Sequence, residues 1–165
     1  MNQRFRNKSM PTILGGLPTA RANISGDAAH PLLYGNVDFF PHQSGTLVVA
    51  ELWGLPHDAA KCAPNLFAMH IHAGGSCLAE HNEPFSTAGG HYNPDSCPHP
   101  AHAGDLPPLF GNNGYAWQAF YTERFDSREV LGKTVIIHSQ RDDFKSQPAG
   151  DAGGRIGCGV IKSWR

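Results

Sequence analysis

Residues 66–105 read LFAMHIHAGGSCLAEHNEPFSTAGGHYNPDSCPHPAHAGD. The first seven letters alternate: Phe67, Met69 and Ile71 fall on one side, Ala68, His70 and His72 on the other. That is the period of a β-strand. No strand or helix period resumes after His72. Residues 73–114 form one long connection rich in Gly, Pro and His. A connection of this length inside a compact domain needs a function or something to hold it. The stretch carries suitable groups, with His91, His99, His102 and Asp105 following the His70/His72 pair.

Outward from this stretch the chain reads as strands and turns. Ala20–Ile24 is a short strand ended by Ser25-Gly26-Asp27. Leu32–Phe40 alternates, with Leu33, Gly35, Val37 and Phe39 on one face. Thr46–Trp53 is a second good strand, and the turn PHQSG (41–45) makes the two a hairpin. Downstream, Tyr115–Tyr121, a weak element at Glu129–Leu131, Gly132–His138 and Ile156–Ile161 complete the set. Residues 139–154 are a second loop. No segment has a convincing 3.6-residue period. The composition agrees, with 19 Gly, 13 Pro and only 16% charged residues in 165. The prediction is one all-β domain over 19–165, an antiparallel sandwich or flattened barrel with two long loops, preceded by a flexible arm at 1–18.

A net charge of −1 gives no global signal for nucleic acid. No apolar run is long enough to span a bilayer as a helix. The N-terminal apolar segment is too short and too broken for a secretory leader. As written the chain reads as cytoplasmic, whereas four cysteines suit an oxidising compartment, so the compartment stays open. No apolar patch nominates an interface.

His70 and His72, two apart on a strand, share a face with Cα atoms roughly 6.6 Å apart. Alone, such a pair also fits a solvated polar face. Three imidazoles and one carboxylate at 91, 99, 102 and 105 form a plausible tetrahedral zinc set. His138 ends the apolar run GKTVIIH. It joins His70 and His72 only if its strand lies beside theirs. An all-imidazole group suits a redox copper ion. His30, His42 and His57 read as turn or surface residues, and His81 has no assigned role. Trp53, Trp117 and Trp164 read as core or rim aromatics.

In order, HIHAGGSC (70–77), AGGHYNP (88–94), HPAHAGDLP (99–107), GKTVIIH (132–138) and GGRIGCGVI (153–161) resemble the copper–zinc superoxide dismutases, bacterial-type or a like branch. The resemblance covers about residues 20–161 and implies a Greek-key, immunoglobulin-like β-sandwich. It implies copper on His70, His72, His91 and His138, and zinc on His91, His99, His102 and Asp105, one ion of each per chain. His91 would bridge the two ions. Asp142 would hold one ligand of each by hydrogen bonds, Arg155 would stand at the copper mouth, and Cys77 would pair with Cys158. The implied activity is disproportionation of superoxide to dioxygen and hydrogen peroxide, with His91 and Arg155 in catalytic roles. A homodimer and a copper-delivery partner are expectations of the same origin. The loop at 139–154 is short and carries only Arg141 and Lys145 as cations, which weakens the expectation of electrostatic guidance. Cys62 and Cys97 are extra, either a second bridge or two free thiols. The competing reading is a non-catalytic metal-binding or structural protein on the same fold. A zinc hydrolase fits poorly, because four protein ligands leave zinc no open position.

Overall fold

In the computed structural model, residues 14–164 are described. They build a curled antiparallel sheet. Its strands are β1 (Ala20–Gly26), β2 (Tyr34–His42), β3 (Gly45–Trp53), β5 (Met69–His72), β7 (Tyr115–Thr122), β8 (Thr134–His138) and β9 (Arg155–Ser163), in the order β5-β8-β9-β1-β2-β3-β7. A small pair, β4 (Leu66–Phe67) with β6 (Leu109–Phe110), forms a second sheet. β4 runs into β5 across Ala68, and β6 packs beside β7, so the pair lies between the two edges of the curled sheet.

The alternation predicted for 32–40 produces the core face. Leu33, Val37 and Phe39 are buried and meet Val48, Ala50 and Leu52 of β3. The β2–β3 register runs from Tyr34↔Trp53 to His42↔Gly45, around a two-residue turn at Gln43-Ser44. Phe67, Met69 and Ile71 join the same core, as do Val135 and Ile137 of β8. Burying each such side chain contributes about 1.5–3 kcal/mol.

Several expectations change. The strand foreseen at 66–72 is cut at Ala68, which donates its N–H to the Gln140 carbonyl (2.7 Å) instead of joining a ladder. Glu129–Leu131 is a turn. The Glu129 N–H bonds the Asp126 carbonyl (2.9 Å), and the Glu129 carboxylate accepts the Asp126 N–H (2.8 Å), so local capping wins over pairing. His42 is buried at the end of β2, edge-on to the Tyr121 ring. Trp117 is 52% exposed, near an outer-face stack of Tyr34, Trp53 and Tyr115 that the sequence did not single out. Residues 1–13 of the arm lie outside the described residues. Leu14 packs against Phe40 and Leu47. Among the described residues, no helix is long and apolar enough to cross a membrane.

Candidate metal centre

β5 is the edge strand, and its two neighbours assemble the site. On one side β8 pairs with it, Met69↔Ile137 and His70↔Ile136, and the His138 N–H bonds the Ala68 carbonyl (2.9 Å). The strand of His138 therefore does lie beside that of His70 and His72. On the other side the long loop takes the free edge. The Ile71 N–H bonds the Gly104 carbonyl (2.9 Å), and the Tyr92 N–H bonds the Ile71 carbonyl (2.7 Å). Bridges His70↔Asp105 and His72↔His91 bring loop residues opposite strand residues. The His70/His72 face is thus roofed by the loop and not solvated; both histidines are fully buried.

Two groups result. His70, His72, His91 and His138 form one, and His91, His99, His102 and Asp105 the other, with the potential ligand atoms of each within 4.8 Å of one another. His91 belongs to both. Its ring centre lies 4.0 Å from that of His70 and 5.3 Å from that of His102.

The donor atoms show how each group fits an ion. Buried nitrogens without any hydrogen bond are His70 Nδ1, His72 Nε2, His91 Nε2 and His138 Nε2 in the first group, and in the second His99 Nδ1, whose 3.1 Å approach to Asp105 Oδ2 lacks hydrogen-bond alignment. Leaving a buried polar atom unpaired costs about 1–3 kcal/mol, so five at one place point to a missing partner. In the second group, Nδ1 of His91, His99 and His102 lie 2.7, 3.1 and 3.3 Å from oxygens of the Asp105 carboxylate. Ligand atoms on a tetrahedral zinc at about 2.0 Å stand roughly 3.3 Å apart, so the set is close to what zinc takes. Four imidazole nitrogens suit copper. The residues present fit both metals.

Burial sets the protonation. Desolvation pushes His72 down to about 2 and His138 to about 3, and it also lowers His70 against the pull of Asp142. All three are therefore neutral at pH 7, the state that can ligate. Burial opposes the charge on Asp142, but bonds from His70, the Phe144 N–H and His99 outweigh it and hold the carboxyl at about 2.

Asp142 links the groups. Its Oδ2 lies 2.8 Å from His70 Nε2 and its Oδ1 2.9 Å from His99 Nε2. Each of these histidines thus turns its Nδ1 toward its own group. There is no room beside this link, because a Cβ at Gly150 would lie 2.0 Å from Asp142 Oδ1 and 2.7 Å from His99 Nε2.

Arg155 stands beside the first group, paired with His138 across β8 and β9. Its Nη1 donates to the Phe85 carbonyl (2.7 Å) and its Nη2 to the Gly89 carbonyl (2.7 Å). It lines an open depression of about 460 Å³ with Glu83, Ser86, Gly153 and Gly154. Cys77 and Cys158 are bonded, with Cα atoms 5.8 Å apart, and tie this loop to β9. Cys62 and Cys97 form no bridge. Cys62 is exposed, while Cys97 is locked in a turn by both amide atoms of Asn93.

The sequence reading missed Gly89, Gln147 and Arg124. Gly89 lends its carbonyl to His72 Nδ1 (2.8 Å) as well as to Arg155. Gln147 holds both backbone atoms of His99. The Gly-Gly before His91 was a visible signal for the first, but the other two act on main-chain atoms and leave no motif.

The fold and these groups define a β-barrel protein with two groups of potential metal ligands that share one histidine. A family model described as copper/zinc superoxide dismutase matches residues 33–161. The Cu-Zn superoxide dismutase of Deinococcus radiodurans is 33% identical over 166 residues, 90% of this chain and 86% of that one. A Cu-Zn superoxide dismutase of Aquifex aeolicus is 34% identical over 143 residues, 78% of each. The solved Cu/Zn superoxide dismutase from Brucella abortus has the same fold, with a TM-score of 0.71 at 23% identity, covering 87% of this chain and 99% of that one. This chain belongs to the copper/zinc superoxide dismutase family.

Proposed function

We propose that this protein converts superoxide to dioxygen and hydrogen peroxide, with one copper at His70, His72, His91 and His138 and one zinc at His91, His99, His102 and Asp105. The observation that carries this is the convergence of four unpartnered imidazole nitrogens in the first group, beside Arg155. Copper held there would supply one-electron chemistry in two oxidation states, and zinc in the second group would keep His91 in place.

The chain's own residues do the rest. Arg155 is held by loop carbonyls with its charge at the depression, where a planar guanidinium attracts and orients a small anion. His91 Nδ1 lies 2.7 Å from Asp105 Oδ1 and its Nε2 has no protein partner, so whenever copper did not hold Nε2 that atom would take a proton from solvent and yield it to the reduced product. Solvent supplies the second proton of the peroxide. Asp142 keeps His70 and His99 oriented. The non-catalytic alternative is not favoured, since no member of the first group is missing or turned away. A homodimer and a copper-delivery partner belong to the same reading and are tested by light scattering and by copper loading in cell extract.

The test follows superoxide decay by stopped flow with protein holding one copper and one zinc. Fast decay is expected, with loss in His138→Ala. Arg155→Ala should retain both metals and slow about tenfold or more. Loaded wild type no faster than His138→Ala would overturn the proposal.

A further inference from the structure

Ile71 of β5 and Ala73 just beyond it hold loop residues Gly90, Tyr92 and Gly104, but residues 99–103 leave the sheet, and something else must hold them. Gln147 grips His99, accepting its N–H at 3.0 Å and donating to its carbonyl at 2.6 Å. The turn beyond it, which presents His102 and Asp105, is gripped by one side chain from the barrel. Arg124, two residues past the end of β7, directs Nη1 to the carbonyls of Pro100 (3.1 Å), His102 (3.1 Å) and Asp105 (3.3 Å). Three carbonyl dipoles facing one point repel each other, and a cation at that point reverses the sign of the interaction. Among the turn's own bonds only the His102 carbonyl finds a second donor, the Asp105 N–H (3.2 Å), and the Pro100 and Asp105 carbonyls find none there. The turn's own bonds are Ala101 N–H to Pro98 carbonyl, Asp105 N–H to His102 carbonyl and His102 N–H to Asp105 Oδ2.

We infer that Arg124 is a positioning residue for the second group, shaping the 100–105 turn so that His102 and Asp105 stand assembled before zinc arrives. This rests on reading that group as the zinc site. Arg124 touches neither metal nor substrate. Its effect is to move the ordering of the turn from the binding step to the folding step, as preorganisation does for any ligand. A flexible turn would instead order at zinc's expense, and affinity would fall.

The test uses the full chain loaded with copper and zinc. Zinc affinity and release are followed by competition with a chelator, and the second group is also read by the visible spectrum of cobalt(II) in place of zinc. Arg124→Met is expected to weaken zinc about 10- to 100-fold, the usual range for residues that orient ligands, and to alter the cobalt spectrum. Arg21→Met is the control for general destabilisation, since Arg21 pairs with Asp38 and lies over Trp164. Zinc affinity in Arg124→Met equal to that in Arg21→Met would overturn the inference. Should Arg124→Met not fold, Arg124→Lys carries the test. An ammonium lacks the planar fork and is expected to weaken zinc several-fold, so unchanged affinity overturns the role. Wild type whose zinc binding is indifferent to His102→Ala would instead sink the reading of the site itself, a separate failure.

Discussion

His72 and Arg155 are joined through a single oxygen: the Gly89 carbonyl lies 2.8 Å from His72 Nδ1 and accepts Arg155 Nη2 at 2.7 Å. One peptide thus orients together the imidazole proposed to bind copper and the guanidinium proposed to face the anion. Gly89 adopts φ 70°, ψ −152°, a conformation essentially confined to glycine. Gly89→Ala is expected to cost about 1–3 kcal/mol in stability. It should also change the copper EPR spectrum and weaken azide binding together. A change in one without the other would mean that the shared carbonyl does not couple them.

Asp142 offers one oxygen to each of two Nε2–H groups. Asp142→Asn keeps the shape but leaves one acceptor for two donors. Copper and zinc affinities are both expected to fall, by about 10–100-fold. Competition titrations of each metal would show it.

Acid should destabilise the metal-free chain well above the carboxylate range. His72 and His138 are neutral in the fold and held at about 2 and 3, while the unfolded chain takes protons near 6.5. Below 6.5 the unfolded state binds more protons, so stability falls as pH falls, by up to about 1.4 kcal/mol per pH unit for each histidine. Asp142, held at about 2 against an ordinary 3.8, adds a loss of the same sign below pH 4. Urea midpoints of metal-free protein from pH 8 to 4 would measure this. A flat profile between 7 and 5 would contradict the burial argument.

Cys77 and Cys158 close a loop with a sequence separation of 81. Chain entropy alone assigns such a bridge about 4–5 kcal/mol. Cys158→Ser should therefore lower the denaturant midpoint strongly, and it should free the loop carbonyls that hold Arg155.

How far the letters reach depends on whether a group acts locally. The β2–β3 hairpin was readable because Leu33 to Phe39 alternate and a short turn follows. His91, His99, His102 and Asp105 were readable because they crowd one loop. His138 was visible only as a candidate. Its partnership with His70 depends on β5 pairing with β8, a contact between segments more than sixty residues apart. The cut at Ala68 and the turn at 129–131 escaped because each is settled by one tertiary or capping bond. Arg124 escaped altogether. It binds three carbonyl oxygens, and a carbonyl looks the same in every residue.

The loop that takes the free edge of β5 has a second consequence. With residues 90–92 and 104 in place, Ile71 has no backbone group left to offer a neighbour. If loss of zinc lets that loop lift, a bare hydrogen-bonding edge appears on a strand of Met, His and Ile. Such an edge is a template for another chain. The ions then guard solubility as well as reactivity, and the metal-free form is the one expected to self-associate on storage.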